Sequence, residues 1–162
     1  MTEIRDDRSG LPPTPEGQAS ESAPRVSIGL PVFNGEKYLR EALDSLLAQT
    51  YTDFEVVLCD NASTDATEEI GREYASRDER VKVHRNSVNL GAAKNFNLSF
   101  ELARGNYFRW MGHDDRLHPE YLECCVAELD RAPDDVALVF TWVRYIDRLG
   151  EPISERRGRR IR

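Results

Sequence analysis

Asp114 and Asp115 are adjacent and close the aromatic, strand-like run "YFRWMGHDD". A tight turn brings two such carboxylates within a few ångströms. At ~4 Å and an effective dielectric of ~20 they repel by about 4 kcal/mol. Two readings follow: a solvated turn, or a site whose charge is needed. A hard divalent cation would relieve the repulsion, since Mg²⁺ or Mn²⁺ takes one or two carboxylates and completes its shell with phosphate oxygens and water. A second acid, Asp60, ends the apolar run "FEVVLCD". An aspartate there is either a cap for the next turn or an acceptor aimed at a ligand. Other chemistries are excluded by pattern. There is no G-x-x-x-x-G-K-[ST], no G-x-G-x-x-G after the first strand and no G-x-S-x-G. His84, His113 and His118 share no ligand spacing with the cysteines, which argues against zinc.

The elements that must hold these acids follow from periodicity. A buried strand is predicted at Val26–Leu30 in "RVSIGLPVF". "NGEKYLREALDSLLAQ" places Leu39, Leu43, Leu46 and Leu47 at helical spacing with Ala42 beside them, after a turn at Asn34-Gly35. "FEVVLCD" reads as a strand buried on both faces. The loop "NASTD" leads to a helix with Ala66, Ile70 and Tyr74 on one stripe. "VKVHR" is a third strand, and "AAKNFNLSFELARG" a helix predicted to turn Ala93, Phe96, Phe100 and Ala103 to the core. "NYFRWM" is a fourth strand, and "HPEYLECCVAELD" a helix with proline in its first turn. "VALVFTWVRYID" reads as a long fifth strand, with "RLGEP" as a hairpin turn. Strands alternating with helices give βαβ units and a mainly parallel α/β sheet. Ligands bind beyond the carboxyl ends of such strands. That rule selects "PVFNGE", "CDNASTD" and "GHDDRLHP".

The 162 residues suit one domain with a real core, and the 40% hydrophobic and 31% charged content is ordinary for a globular chain. A net charge of -7 excludes the basic footprint of a general nucleic-acid binder. No apolar window is long enough to span a bilayer, and no secretory signal opens the chain. Residues 1–24, with four of the eight prolines and few large apolar side chains, read as a disordered leader. Residues 25–150 form the domain, and 151–162 a basic tail with five arginines. Three cysteines without metal spacing, two of them neighbours, read as reduced and mostly buried, which fits a cytoplasmic protein.

The ordered motifs carry a resemblance. "VSIGLPVFNGEKYLREALDSLLAQTYTDFEVVLCDNASTDAT" and "NLGAAKNFNLSFELARGNYFRWMGHDD" are similar to family 2 glycosyltransferases of the GT-A fold, over residues 25 to about 150. The resemblance implies a Rossmann-like, mainly parallel sheet flanked by helices, incomplete at its C-terminus. It implies transfer of a sugar from a nucleotide-sugar donor to a glycan, lipid or other acceptor. That transfer would be inverting, dependent on Mg²⁺ or Mn²⁺, and part of polysaccharide biosynthesis. Pro31, Val32, Phe33 and Asn34 match the turn lining the nucleotide pocket, with Glu36 following. Asp60 matches the acceptor for the nucleobase, and Asn61, Ser63 and Asp65 complete its loop. Asn89, Gly91 and Lys94 match the segment near base and diphosphate. Asp114 matches the carboxylate near ribose and metal, and Asp115 the metal ligand. The family's Asp-x-Asp-Asp reads Gly112-His113-Asp114-Asp115 here, so the first acid is missing.

Residues downstream of Asp115 show no family signature for a general base; Glu151 and Glu155 are the acids in the right direction. Two alternatives to the enzyme stand beside it. One is a truncated module that binds nucleotide-sugar without transferring it. The other is a nucleotidyltransferase, which would want a glycine- and lysine-rich loop where "PVFNGEKYL" has one glycine and Lys37. The expected setting is cytoplasmic or peripheral to a membrane, with no transmembrane segment and no nucleic-acid partner. Self-association through an unpaired edge of the long fifth strand is a further expectation.

Overall fold

The computed structural model describes residues 23–133 and 135–156. Nearly all of the expected leader, and the tail from residue 157, lie outside the described residues. Four parallel strands form the main sheet: β1 (Val26–Val32), β2 (Phe54–Asp60), β3 (Val81–Arg85) and β4 (Tyr107–Trp110), in the order β3-β2-β1-β4. All seven residues of β1 and of β2 are buried, as the unbroken apolar runs predict for central parallel strands. The order reverses after β3. Right-handed crossovers then put α1 (Leu39–Leu47) and α2 (Thr67–Arg77) on one face and α3 (Ala92–Glu101) on the other. Helix α4 (Tyr121–Arg131) lies with α1, held by Gln49. The buried Gln49 amide donates to the His118 carbonyl (2.8 Å) and accepts from the Leu122 N–H (3.0 Å), satisfying the orphan end of α4.

The core is mostly on the α1/α2 face. Ile28, Leu30 and Val32 of β1 and Val56 and Leu58 of β2 meet Leu39, Leu43, Leu46 and Ile70. The α3 face is different. Its buried helix residues are Asn95 and Ser99, while Phe96 and Phe100 are 40% and 55% exposed. The predicted core stripe of α3 is therefore wrong. Gly29 of β1 explains it, because a Cβ there would meet the Ser99 hydroxyl at 2.6 Å and the Phe108 ring at 2.7 Å. The helix seats small and polar residues on the sheet, and Phe96, Phe100, Phe108 and Trp110 pack instead with one another beside β4.

At the amino ends of the strands the core holds a charge. Glu55 is buried in β2 and accepts from the Ser27 hydroxyl (2.7 Å) and from the Arg104 N–H, Nε and Nη2 (2.9, 3.0 and 2.8 Å). Burial pushes the Glu55 carboxyl up, but these donors outweigh it and leave its pKa below the usual value.

The long fifth strand does not form. Residues 136–142 are outside any strand, and β5 (Val143–Ile146) pairs antiparallel with β6 (Pro152–Arg156) in a separate two-stranded sheet. The turn at 147–150 is the predicted hairpin, with Gly150 at φ +84°. The free edges of the main sheet are β3 and β4, not the fifth strand. Of the cysteines, only Cys59 is buried; Cys125 is half-buried and Cys124 exposed, and all three are free. The expectation of mostly buried cysteines thus holds for one. No helix among the described residues is long and apolar enough to cross a membrane.

Candidate functional site

The carboxyl ends of β1, β2 and β4 converge, because parallel strands in register must end on one side. Val32 lies level with Asp60, and Asp60 with Arg85. The loops after β1 and β2 then lock together. The Asn34 N–H donates to the Ser63 hydroxyl (2.9 Å), and the Asn34 side-chain oxygen accepts from the Thr64 N–H (2.9 Å). The Gly35 N–H donates to the Thr67 hydroxyl (2.8 Å). Glu36 donates its N–H to Asp65 (3.1 Å) and accepts from the Ala66 N–H at the start of α2 (3.0 Å). Asn34 sits at φ +53°, a conformation asparagine tolerates better than most residues. Burial pushes the Asp65 carboxyl up, but donors from Thr67 and Glu36 outweigh it and lower its pKa.

Asp60 is the last residue of β2 and is wholly buried. One of its oxygens accepts from the Ser63 N–H (2.9 Å), and the other is ion-paired with Arg85. Arg85 also donates to the Ser63 carbonyl (3.0 Å) and reaches Glu68 (3.2 Å). The carboxylate is thus committed within the chain, and of the pair only the Arg85 guanidinium, 32% exposed, reaches the surface. Beside it runs an amide network. Asn61 accepts from the Asn86 amide (2.9 Å) and the Leu90 N–H (2.8 Å), and donates to Asn89 (2.8 Å). Asn86 also donates to Asn95 (2.9 Å), which donates to the Cys59 carbonyl (2.8 Å). Asn89 accepts from the Gly91 N–H (2.8 Å), and Gly91, at φ +81°, opens α3 with nothing near its Cα side.

The turn after β4 has a different character. A Cβ on Gly112 would lie 2.9 Å from a carboxylate oxygen of Asp114 and 3.0 Å from one of Asp115. Both carboxylates therefore fold over the same glycine. Both residues are exposed, and neither carboxylate has a partner among the described residues. The His113 ring packs on Gly35, where a Cβ would meet it at 2.7 Å, tying this turn to the β1 loop. Two uncommitted carboxylates on one point are the donor set that a hard divalent cation takes alongside phosphate oxygens. Among the described residues no group of three or more His, Cys, Asp or Glu gathers to hold a metal, so a cation here would have two protein carboxylates.

The sequence-selected residues fall into three sets. Val32, Asn34, Glu36, Asp60, Asn61, Ser63 and Asp65 are brought together at the β1–β2 junction. Pro31 is buried within β1, while Phe33 is exposed beside the junction. Asn89 joins the network directly and Gly91 through it, and Lys94 is exposed in the first turn of α3. Asp114 and Asp115 stand apart, on the β4 side. Sequence reasoning missed Arg85, Asn86 and Asn95. The signal available was the "HRN" at the end of β3, where Arg85 lies level with Asp60.

Comparison with known proteins bears on the family and the fold. The family model described as glycosyl transferase family 2 matches residues 27–161. An uncharacterized glycosyltransferase of Rickettsia typhi is 34% identical over 125 residues, covering 77% of this chain and 38% of that protein. Chondroitin synthase of Escherichia coli is 37% identical over 140 residues, covering 86% of this chain and 20% of that protein. Residues 1–349 of TarS from S. aureus, crystallised with UDP-GlcNAc, share 34% identity at a TM-score of 0.62, covering 65% of this chain and 31% of that one. The mannosyltransferase PcManGT of Pyrobaculum calidifontis, in complex with GDP-Man and Mn²⁺, has a TM-score of 0.59 at 26% identity over 65% of this chain and 32% of that one. The chain thus spans well under half the length of these relatives. With its GT-A-like parallel sheet and the match over most of its length, the chain belongs to glycosyl transferase family 2.

Proposed function

We propose that this chain binds a nucleotide-sugar donor across the carboxyl ends of β2, β1 and β4, as part of an inverting glycosyltransferase acting on a glycan, lipid or other acceptor in polysaccharide biosynthesis. The observation that carries the reading is the contrast between the two ends of the site. At the β1–β2 junction nearly every polar group is already bonded, which makes a stiff surface on which a planar base could rest. At the β4 turn two carboxylates are bonded to nothing among the described residues, which leaves them free for a cation and a diphosphate. Asp60 acts through Arg85: it fixes the guanidinium that faces the base. Asn34, Ser63 and Asn61 hold the loops around it, and Asn89, Gly91 and Lys94 border the pocket from α3. Asp114 and Asp115 would hold Mg²⁺ or Mn²⁺, which when bound supplies positive charge to a departing diphosphate.

The support from the comparisons is that TarS was crystallised with UDP and UDP-GlcNAc and PcManGT with GDP-Man and Mn²⁺. Calorimetry with UDP, dTDP and GDP, in Mn²⁺ and then in EDTA, tests the reading. Micromolar-range binding of one nucleotide that weakens at least tenfold in EDTA is expected, and equal affinity in both conditions would sink the metal role.

A second reading, donor binding without transfer by residues 1–162, rests on the acids that follow the acidic turn. Transfer needs a base within about 3 Å of the acceptor hydroxyl. Beyond the acidic turn, Asp147 is committed to its own hairpin, accepting from the Leu149 and Glu151 N–H groups (2.8 and 2.9 Å). Glu151 is exposed. The expected outcome for residues 1–162 is nucleotide binding with little or no acceptor-dependent release of UDP. Sustained turnover would overturn it and make Glu151 and Glu155 the first candidates for the base.

A further inference from the structure

The β5–β6 turn leans on the acidic turn of the main sheet, and between them is a cavity of about 230 Å³ lined by Tyr38, Glu41, Asp114, Asp115, Arg116 and Arg148. Arg116, the residue after the acidic pair, lies under this hairpin. A Cβ on Gly150 would overlap its guanidinium, so the glycine at φ +84° leaves the space the arginine occupies. Its one ion-pair partner among the described residues is Glu41 at 3.5 Å, a long and solvent-exposed contact of little strength. The lining of one cavity therefore includes two unpartnered carboxylates and a loosely held, hairpin-positioned cation.

We propose that Arg116 is a phosphate-binding residue: it grips the diphosphate of the donor directly, in the cavity that Asp114 and Asp115 also line, and the β5–β6 turn sets its position. The proposal rests on the nucleotide-sugar reading above. A guanidinium suits the task because its planar fork pairs with two phosphate oxygens at once and keeps its charge at any working pH. Glu41 parks the side chain, and an incoming diphosphate outcompetes a single long carboxylate contact. Arg148, from the hairpin itself, makes no hydrogen bond or ion pair among the described residues and adds positive potential to the same space.

The test is calorimetry of the whole chain with UDP (or whichever of UDP, dTDP and GDP binds best) and with the matching nucleoside, for wild type, Arg116→Gln and Arg116→Lys, with Mn²⁺ and with EDTA. Arg116→Gln is expected to weaken the diphosphate about ten- to hundredfold, the size of a charge-assisted hydrogen bond, in both metal conditions. The nucleoside and the melting temperature should not move, and Arg116→Lys should recover part of the loss. Unchanged diphosphate affinity in Arg116→Gln overturns the proposal and leaves the nucleotide reading intact. An equal loss for nucleoside and diphosphate, or a loss that tracks the melting temperature, also overturns it and makes Arg116 structural. Failure of every nucleotide to bind wild type instead refutes the reading beneath it, and the role of Arg116 falls with it.

Discussion

Replacing Asp60 with asparagine keeps the shape and removes the charge. The side-chain oxygen of the introduced asparagine can still accept from the Ser63 N–H, so the 2.9 Å bond that closes the loop survives. What is lost is the ion pair with Arg85, made by a carboxylate with no exposed surface. Breaking a fully buried pair costs about 3–5 kcal/mol because the abandoned charge has nowhere to go. Arg85 is not abandoned in that sense. It is part-exposed and keeps the Ser63 carbonyl at 3.0 Å and Glu68 at 3.2 Å. The loss therefore approaches the difference between a charge-assisted and a neutral hydrogen bond, about 1–2 kcal/mol. For a folded region of this size that lowers Tm by roughly 3–8 °C. Nucleotide affinity should also fall, because Arg85 is no longer fixed by its strongest partner. Thermal melting followed by circular dichroism, with calorimetry on the folded variant, measures both. An unchanged Tm with a tenfold loss of nucleotide affinity would refute this reasoning, and would mean that Asp60 leaves Arg85 to meet the ligand.

Two further outcomes follow from the buried groups. Glu55 has a folded pKa below its unfolded value, so its contribution is present above about pH 4.5 and is lost as pH falls through the folded pKa. Chemical denaturation from pH 7 to pH 3 should show stability declining on the acid side, and Glu55→Gln should be less stable at pH 7 with a shallower acid limb; an identical pH profile would refute it. Burial pushes the Cys59 thiol up to about 12, whereas Cys124 is exposed. Iodoacetamide labelling read by mass spectrometry should modify Cys124 first and Cys59 only after unfolding. Comparable rates at both sites would contradict the packing at the end of β2.

The parts of the fold legible in the sequence are those where periodicity and burial agree. β1 and β2 are continuous apolar runs because both faces are covered, and α1 shows its leucines on one stripe because its partner is flat and apolar. Helix α3 defeats the same logic. Its aromatic residues look like a core stripe, but Gly29 leaves room on the sheet only for small side chains, and Asn95 is drawn inward by the Cys59 carbonyl. No pattern within 92–101 carries that information, because it resides in β1 and β2. The fifth strand fails for a related reason. Its β-prone residues are real, but a strand needs a ladder partner, and only Val143–Ile146 finds one in β6. At the site, the strand-end rule located the right loops. It could not tell that Asp60 is consumed by Arg85, since the pairing depends on the register of β2 against β3.

That register explains why the two ends of the site differ. β1 and β2 end level with one another, so the loops leaving them emerge side by side and can saturate each other's donors and acceptors, as Asn34, Glu36, Ser63 and Asp65 do. Such a junction loses little on binding a rigid planar group, because its own groups are already ordered. β4 flanks β1 on the other side, and its pairing with β1 stops at Gly29, three residues before β1 ends. The chain leaving β4 therefore passes beside the last turn of β1 rather than beyond it, and what ties it to the β1 loop is the His113 ring on Gly35. Saturating Asp114 and Asp115 would require donors bonded to them, and among the described residues neither the β1 loop nor the β5–β6 turn supplies one. The acids stay unpaired because of where β4 stops, and the contrast between an unpaired acidic turn and a saturated junction is what the proposed nucleotide-sugar reading rests on.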